Sequence, residues 1–308
     1  MTAQLLDQLQ EHGYAGRIVP IHHLRDLEEE IQARYEQGLV DPELYQIYLT
    51  GFAFHPPESL PDARSLIVVA VPQPQCRITF TWRGEPVPTI VPPTYLHGRE
   101  TNAQAGDTLA RLLEPAGYRT VKASLPVKLL AVRSGLAAYG KNNITYVPGL
   151  GSFHRLAAFY SDLPCTEDPW QAPQMMDRCQ TCLACQHACP TGAIAPDRFQ
   201  VHAERCITFH NEKPDSVPFP AWLDPAWHNC LVGCLHCQRA CPEDRAVLGW
   251  TEDRASFSEE ETALILEGVP LDQLPAGMAG KLRQSDLAAQ YDSLPRNLGV
   301  LLKTGQAQ

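Results

Sequence analysis

The order of cysteines between Cys179 and Cys241 constrains this chain more than any other feature. Cys179-x2-Cys182-x2-Cys185-x3-Cys189-Pro190 is followed by an isolated Cys206 and then by Cys234-x2-Cys237-x3-Cys241-Pro242. Thiolates at such short spacing wrap one iron–sulfur cubane, and the fourth cysteine of the run, before proline, reaches across to a second cluster. Eight ligands in this order fit two [4Fe–4S] clusters with exchanged ligands. Cys179, Cys182, Cys185 and Cys241 form the expected set for cluster A, and Cys189, Cys206, Cys234 and Cys237 the set for cluster B. Structural zinc is the competing reading, because C-x2-C pairs also close tetrahedral zinc sites. Four cysteines within a single short run that ends in Cys-Pro fit separate zinc knuckles poorly. Cys76, Cys165 and Cys230 lack motif spacing and read as bystander thiols.

Eleven cysteines without a visible signal peptide point to a reducing compartment, where clustered cysteines hold metals rather than form disulfides. The expected location is cytoplasmic, with no membrane partner, since no apolar run is long enough to span a bilayer. The formal net charge of −10 argues against broad binding to polyanions, which needs Lys and Arg at the phosphates. Apolar residues make up 44% of the 308, so a sizeable core can form.

Before Cys165 the chain reads as α/β. Residues 1–50 have apolar positions at helical spacing, and Leu66-Ile67-Val68-Val69-Ala70-Val71 reads as a strand buried on both faces. Residues 72–94 are expected to hold an irregular hairpin, 103–116 and 126–134 helices, and 118–123 a short strand. Residues 144–147 and 156–160 read as two strands paired around the turn at 148–151. From Cys165 to Trp250 the chain is dense in Cys, Pro and His, as a ligand-organised module would be. Beyond Trp250, helices are expected at 258–266 and 285–302. The expected segments are therefore 1–165, 166–250 and 251–308. His22-His23 at the start of a helix reads as capping or surface placement rather than metal binding. No dinucleotide or phosphate-binding glycine loop is present.

Several stretches around the cysteines carry a resemblance. They are Leu60-Pro61-Asp62-Ala63-Arg64-Ser65, Tyr95-Leu96-His97-Gly98-Arg99, Arg133-Ser134-Gly135-Leu136-Ala137-Ala138-Tyr139-Gly140-Lys141-Asn142, Gly151-Ser152-Phe153, Arg205-Cys206-Ile207-Thr208 and Pro295-Arg296-Asn297. Together with the cysteine order, the chain resembles epoxyqueuosine reductases and, more distantly, reductive dehalogenases. The resemblance spans roughly residues 55–300. It implies an α/β, nitroreductase-like cobalamin-binding domain, a ferredoxin-like double-cluster module and a short C-terminal helical segment. It also implies that electrons from a donor such as ferredoxin or flavodoxin pass through the clusters to cobalt. Arg99, Ser134, Gly135, Gly140, Lys141, Asn142, Asn143, Gly151 and Ser152 are the implied cobalamin contacts, the glycines because a Cβ would collide with a large flat ring.

Two departures shape the functional expectation. Where the family places a proton-donating Asp before a Pro, this chain has Ala123, and alanine cannot act as a general acid. Ser124 and Tyr139 are the remaining candidates for that role. The chain also ends at Gln308, with little after the module to match the helical repeats that help such enzymes grip tRNA. The leading expectation is a cobalamin-dependent iron–sulfur reductase acting on another, small-molecule substrate. The alternatives are epoxyqueuosine reduction on tRNA, and an electron carrier or corrinoid activase without substrate chemistry of its own.

Overall fold

The computed structural model describes residues 2–305; Met1 and residues 306–308, at the outer ends of the first and last expected segments, lie outside the described residues. The chain divides into two compact units. One comprises Met1–Pro72, Gly98–Leu183 and Pro196–Ala203, the other Gln73–His97, Ala184–Ala195 and Glu204–Gln308. This partition cuts across the three consecutive segments expected from composition, because strand pairing joins residues far apart in sequence.

The first unit is built on an antiparallel sheet in the order β1 (Ala15–Pro20), β2 (Ser65–Pro72), β8 (His154–Ser161) and β5 (Thr120–Ala123). The apolar run of β2 is central and sends alternate side chains to opposite faces. Leu66, Val68 and Ala70 join one core with Ala158 and Tyr160 of β8. Ile67, Val69 and Val71 join another with Ala157 and Phe159. Helices α2 (His23–Glu36) and α5 (Val127–Arg133) cover the first face through Leu24, Leu27, Leu129 and Leu130. Helices α1 (Thr2–Glu11) and α4 (Gly98–Leu113) cover the second through Leu5, Leu9, Ala105 and Leu109. Each such leucine or isoleucine buried from water contributes about 1.5–3 kcal/mol before entropy is counted.

Two expectations for this unit are corrected. Residues 1–50 are not continuously helical. Gly13, at φ 77°, lets the chain turn after α1, and Ala15–Pro20 pairs with β2 from Ala15↔Ala70 to Pro20↔Ser65. The strands around the 148–151 turn are not each other's main partners. β8 lies between β2 and β5, whereas β7 (Thr145–Tyr146) pairs with β6 (Ala138–Tyr139); only a Val147–Gly151 bridge closes the turn. Between α2 and β2, the single turn α3 (Pro42–Leu44) runs into a π-helical turn at Tyr45–Leu49.

The second unit begins with a regular hairpin, β3 (Gln75–Trp82) and β4 (Glu85–Val91). Its tip, Arg83-Gly84, has both residues at positive φ, as a tight two-residue hairpin turn requires. The Glu259 carboxylate accepts hydrogen bonds from both tip amides at 2.9 and 3.0 Å. β9 (Thr251–Phe257) adds to β3 in parallel. Three short helices lie in the cysteine-rich stretch: α6 (Ala184–Ala188), α7 (Ile207–Asn211) and α8 (His236–Arg239). The expected helix at 258–266 forms as α9 (Glu259–Leu266), opened by a Ser258–Glu261 capping box. The other C-terminal helices are α10 (Ala276–Gln284) and α11 (Leu294–Thr304), rather than one element over 285–302. Phe80, Phe257, Ile265, Leu282, Leu294 and Leu298 form the core of this unit. Among the described residues, no helix is long and apolar enough to cross a membrane.

Candidate iron–sulfur centre

The second unit gathers six motif cysteines. The Cys237 thiol is pushed well up by burial and further by the neighbouring thiols of Cys234, Cys206, Cys189 and Cys185. Cys234 is likewise raised by burial and then by Cys230, Cys206 and Cys189. Cys206 is raised by burial, with Cys189 adding to the effect, while N–H and O–H donors of Thr208 and the Phe209 N–H act against it. Four thiols contributed by three separate stretches thus face one another, and they are the four expected at cluster B. A group of soft thiolates held in one place, with amide donors at their sulfurs, fits an iron–sulfur cubane. Of the cluster A set, Cys185 and Cys241 lie in this unit, and Cys179 and Cys182 in the first.

The loop carrying Cys234 is held from behind. Gly233 sits at φ 75°, and a Cβ there would meet the Tyr95 ring at 2.8 Å. Buried Asn211 clamps Gly233 from both sides, donating to its carbonyl at 2.6 Å and accepting from its N–H at 2.9 Å. Asn297 in turn donates to the carbonyls of Asn211 at 2.8 Å and Leu231 at 3.0 Å. Arg296 spends its guanidinium on the carbonyls of His210, Lys213, Pro214 and Val217. The Pro295-Arg296-Asn297 motif is therefore a brace for the cluster loop. Tyr95 donates to Glu212, and its phenol is pushed well up by burial and by that carboxylate. The Arg296 and Asn297 motif was visible in the sequence; the Asn211 clamp carried no local signal.

Cys230 is buried beside this group, its thiol pushed up to about 12 by burial. Cys76 is buried in the core of this unit, and Cys165 packs at the edge of a first-unit core with its thiol on the Glu167 carbonyl.

In the first unit, the residues implied to contact cobalamin are near one another but committed internally. Fully buried Ser134 donates to the Ala131 carbonyl, 3.0 Å away, at the end of α5. Gly135 has φ 72°, and a Cβ there would stand 3.2 Å from the Gln171 amide nitrogen. At Gly140 a Cβ would meet Asn142 Oδ1 at 2.4 Å and the Tyr146 ring at 2.6 Å. Asn142 donates to Tyr146 Oη at 2.9 Å and accepts from the Ile144 N–H at 3.3 Å. Asn143, at φ 59°, donates to Gln200 at 3.4 Å. Lys141 donates to the Cys182 carbonyl at 3.1 Å, which ties this block to the first cysteine run. Gly151, at φ 55°, accepts from His154 Nδ1, and Ser152 is buried and partnered. A Cβ at Gly135 or Gly140 would meet protein atoms, and each polar side chain of the block has a protein partner. Arg99 stands apart, lining an open cleft of about 390 Å³ with Asn102, Asp107, Thr120, Lys122 and Phe159.

The proton-donor candidates are also placed. Ala123 belongs to the apolar core under the sheet. Ser124 is exposed and donates to the Gly51 carbonyl at 3.3 Å. Tyr139 is buried against Phe199, and burial pushes its phenol up to about 12, with Arg34 acting against the shift. A phenol so weakly acidic is a poor proton donor near neutrality.

Fold and site together define an iron–sulfur protein of the double-cluster kind. Residues 178–244 match the family described as the 4Fe-4S double cluster binding domain. In sequence and in fold the chain is similar to epoxyqueuosine reductases. The enzyme of that name from Pseudomonas aeruginosa is 31% identical over 221 residues, 66% of this chain and 58% of the relative. Alignments with the relatives from Francisella, Burkholderia and Leadbetterella cover 42%, 44% and 50% of those proteins, so the chain spans about half the length of the curated relatives it matches. The solved Bacillus subtilis epoxyqueuosine reductase, with its aspartate catalytic loop swung out of the active site, superposes with a TM-score of 0.63 at 21% identity, over 98% of this chain and 81% of that one. An epoxyqueuosine reductase solved with an epoxyqueuosine-modified tRNA-Tyr stem loop gives 0.65 at 21% identity, over 98% and 80%.

Proposed function

We propose that the chain is an oxidoreductase that relays single electrons through two [4Fe–4S] clusters, and that its substrate is the epoxyqueuosine base of tRNA. The observation that carries the redox reading is the convergence of Cys189, Cys206, Cys234 and Cys237 in one unit, in the order that the ferredoxin run demands. The cluster A set rests on motif spacing and on the family match over 178–244. When bound, the clusters supply one-electron transfer at low potential. The chain's own contribution is to hold the thiolates: Asn211, Arg296 and Asn297 fix the loop, and Thr208 and Phe209 amides face the Cys206 sulfur.

The substrate assignment rests on the relatives' name at about 31% identity. Removing the epoxide oxygen as water takes two electrons and two protons, the electrons coming from a ferredoxin- or flavodoxin-class donor. A corrin is the further redox group that the resemblance implies. The Ser134–Ser152 block is where the resemblance would place its contacts, and Lys141, Asn142 and Asn143 would be the donors to its rim.

One observation favours a second reading, reduction of a different substrate. The position of the family's proton donor is Ala123, inside an apolar core. Neither Ser124 nor Tyr139 replaces it as an acid. Anaerobic incubation of the cluster-loaded chain with reductant, cobalamin and epoxyqueuosine-containing tRNA separates the two. Nucleoside mass spectrometry showing queuosine supports the tRNA reading. Unchanged tRNA beside clusters that reduce and reoxidise with other acceptors removes it and leaves the second.

A further inference from the structure

Away from the motif cysteines, the first unit brings an adjacent pair of histidines together with an aspartate that is distant in sequence. His22 and His23 open α2, and Asp168 lies 145 residues beyond His23, on the segment that follows β8. His23 Nε2 is 2.9 and 3.0 Å from the two Asp168 oxygens, and His22 Nε2 is 3.8 Å from Asp168 Oδ2. All three ligand atoms lie within 4.8 Å of one another.

We infer that His22, His23 and Asp168 form a binding site for a zinc-class divalent cation that staples the segment around Asp168 to the start of α2. The metal–nitrogen and metal–oxygen bonds of tetrahedral zinc, about 2.0–2.2 Å, place neighbouring donor atoms about 3.3–3.5 Å apart. The two histidine–Asp168 separations, 2.9 and 3.8 Å, lie on either side of that edge, and the two histidine nitrogens lie within 4.8 Å of each other, so a modest closing of the three groups admits a cation.

The surroundings are those of a metal ligand. Asp26 Oδ2 is 2.6 Å from His23 Nδ1, which leaves Nε2 to bind the ion once Nδ1 carries the proton. A carboxylate behind a histidine in this way fixes its tautomer and raises its basicity. The His23 ring is held by stacking on Trp170, with centroids 4.1 Å apart and planes at 10°. Two carboxylates offset the charge of the cation and the positive end of α2. The other side is open, since the His22 and Asp168 side chains are 66% and 43% exposed, which leaves a fourth position for water. The donor set of two imidazoles and one carboxylate suits zinc rather than magnesium or calcium, which prefer all-oxygen shells.

The test uses the full chain with its iron–sulfur clusters loaded under anaerobic conditions, given one equivalent of zinc sulfate and dialysed. Metal content and the zinc K-edge absorption spectrum are then read for wild type, His22→Ala and Asp168→Asn. His22 is exposed, so its truncation leaves folding intact. The expected result is one retained zinc with a nitrogen and oxygen shell near 2.0 Å, with affinity falling at least about tenfold in either variant. Asp26→Asn, which disturbs only the orientation of His23, is expected to weaken binding about 10- to 100-fold. A sulfur shell near 2.3 Å, no retained zinc, or equal retention by His22→Ala each overturns the inference.

Discussion

Asn211→Ala probes the brace behind the cluster loop. The Asn211 side chain meets both polar groups of buried Gly233, donating at 2.6 Å and accepting at 2.9 Å. Alanine removes both partners at once. Stranding a buried N–H and a buried C=O costs about 1–3 kcal/mol each, so the expected loss is about 2–6 kcal/mol. Gly233 cannot rotate to find substitutes, because its φ of 75° and the Tyr95 ring fix its position. Asn211→Asp keeps the acceptor for the Gly233 N–H and loses the donor to its carbonyl, so about half of that loss is expected. Urea unfolding of the cluster-loaded chain under anaerobic conditions reads both variants, with iron per chain measured alongside. The midpoint should fall in the order wild type, Asp, Ala, with iron lost most readily from the Ala variant. A change within about 0.5 kcal/mol for Asn211→Ala, with iron fully retained, would refute the reasoning, since surface substitutions away from such features fall in that range.

Other positions give independent checks. Gly140→Ala should destabilise the first unit by about 1–3 kcal/mol, because its Cβ meets Asn142 and Tyr146 at 2.4 and 2.6 Å; an unchanged thermal midpoint contradicts this. Ala123→Asp should lower stability by several kcal/mol and add no activity, since its carboxylate would enter an apolar core without a partner; a gain in turnover contradicts the placement. Buried His154 is held neutral, its pKa lowered to about 4 by burial against a raising contact from the Gly151 carbonyl. The unfolded chain takes up that proton below about pH 6.5, so the contribution is complete above that pH and is lost as pH falls toward 4. It amounts to about 3 kcal/mol at most, and urea titrations of His154→Gln should show a flatter profile across that window than wild type.

The double-cluster module was legible because a cubane dictates local cysteine spacing, and the spacing survives whatever the rest of the chain does. The apolar run of β2 was legible for a similar reason, being buried on both faces. Ala15–Pro20 was not, since its six residues hold Gly16 and Pro20 and become a strand only by pairing with β2. β9 shows the same limit more strongly. Five of the seven residues of Thr251–Phe257 are charged or small, and its partner β3 lies about 176 residues earlier. The Ser134–Ser152 block illustrates a different one: glycines that suggest room for a flat ring, such as Gly140, are equally required by a tight turn that packs on itself. His22 and His23 read as capping or surface residues because Asp168 is invisible from their position in the chain.

The central claim is that the eight motif cysteines hold two [4Fe–4S] clusters. Anaerobic reconstitution of the full chain, followed by iron and sulfide analysis and EPR of the reduced protein, tests it directly. The predicted result is two cubanes per chain with spin-coupled signals on full reduction, and loss of about half of the iron and sulfide in Cys206→Ala. Zinc in a thiolate shell without acid-labile sulfide, or cluster content unchanged in Cys206→Ala, would contradict it.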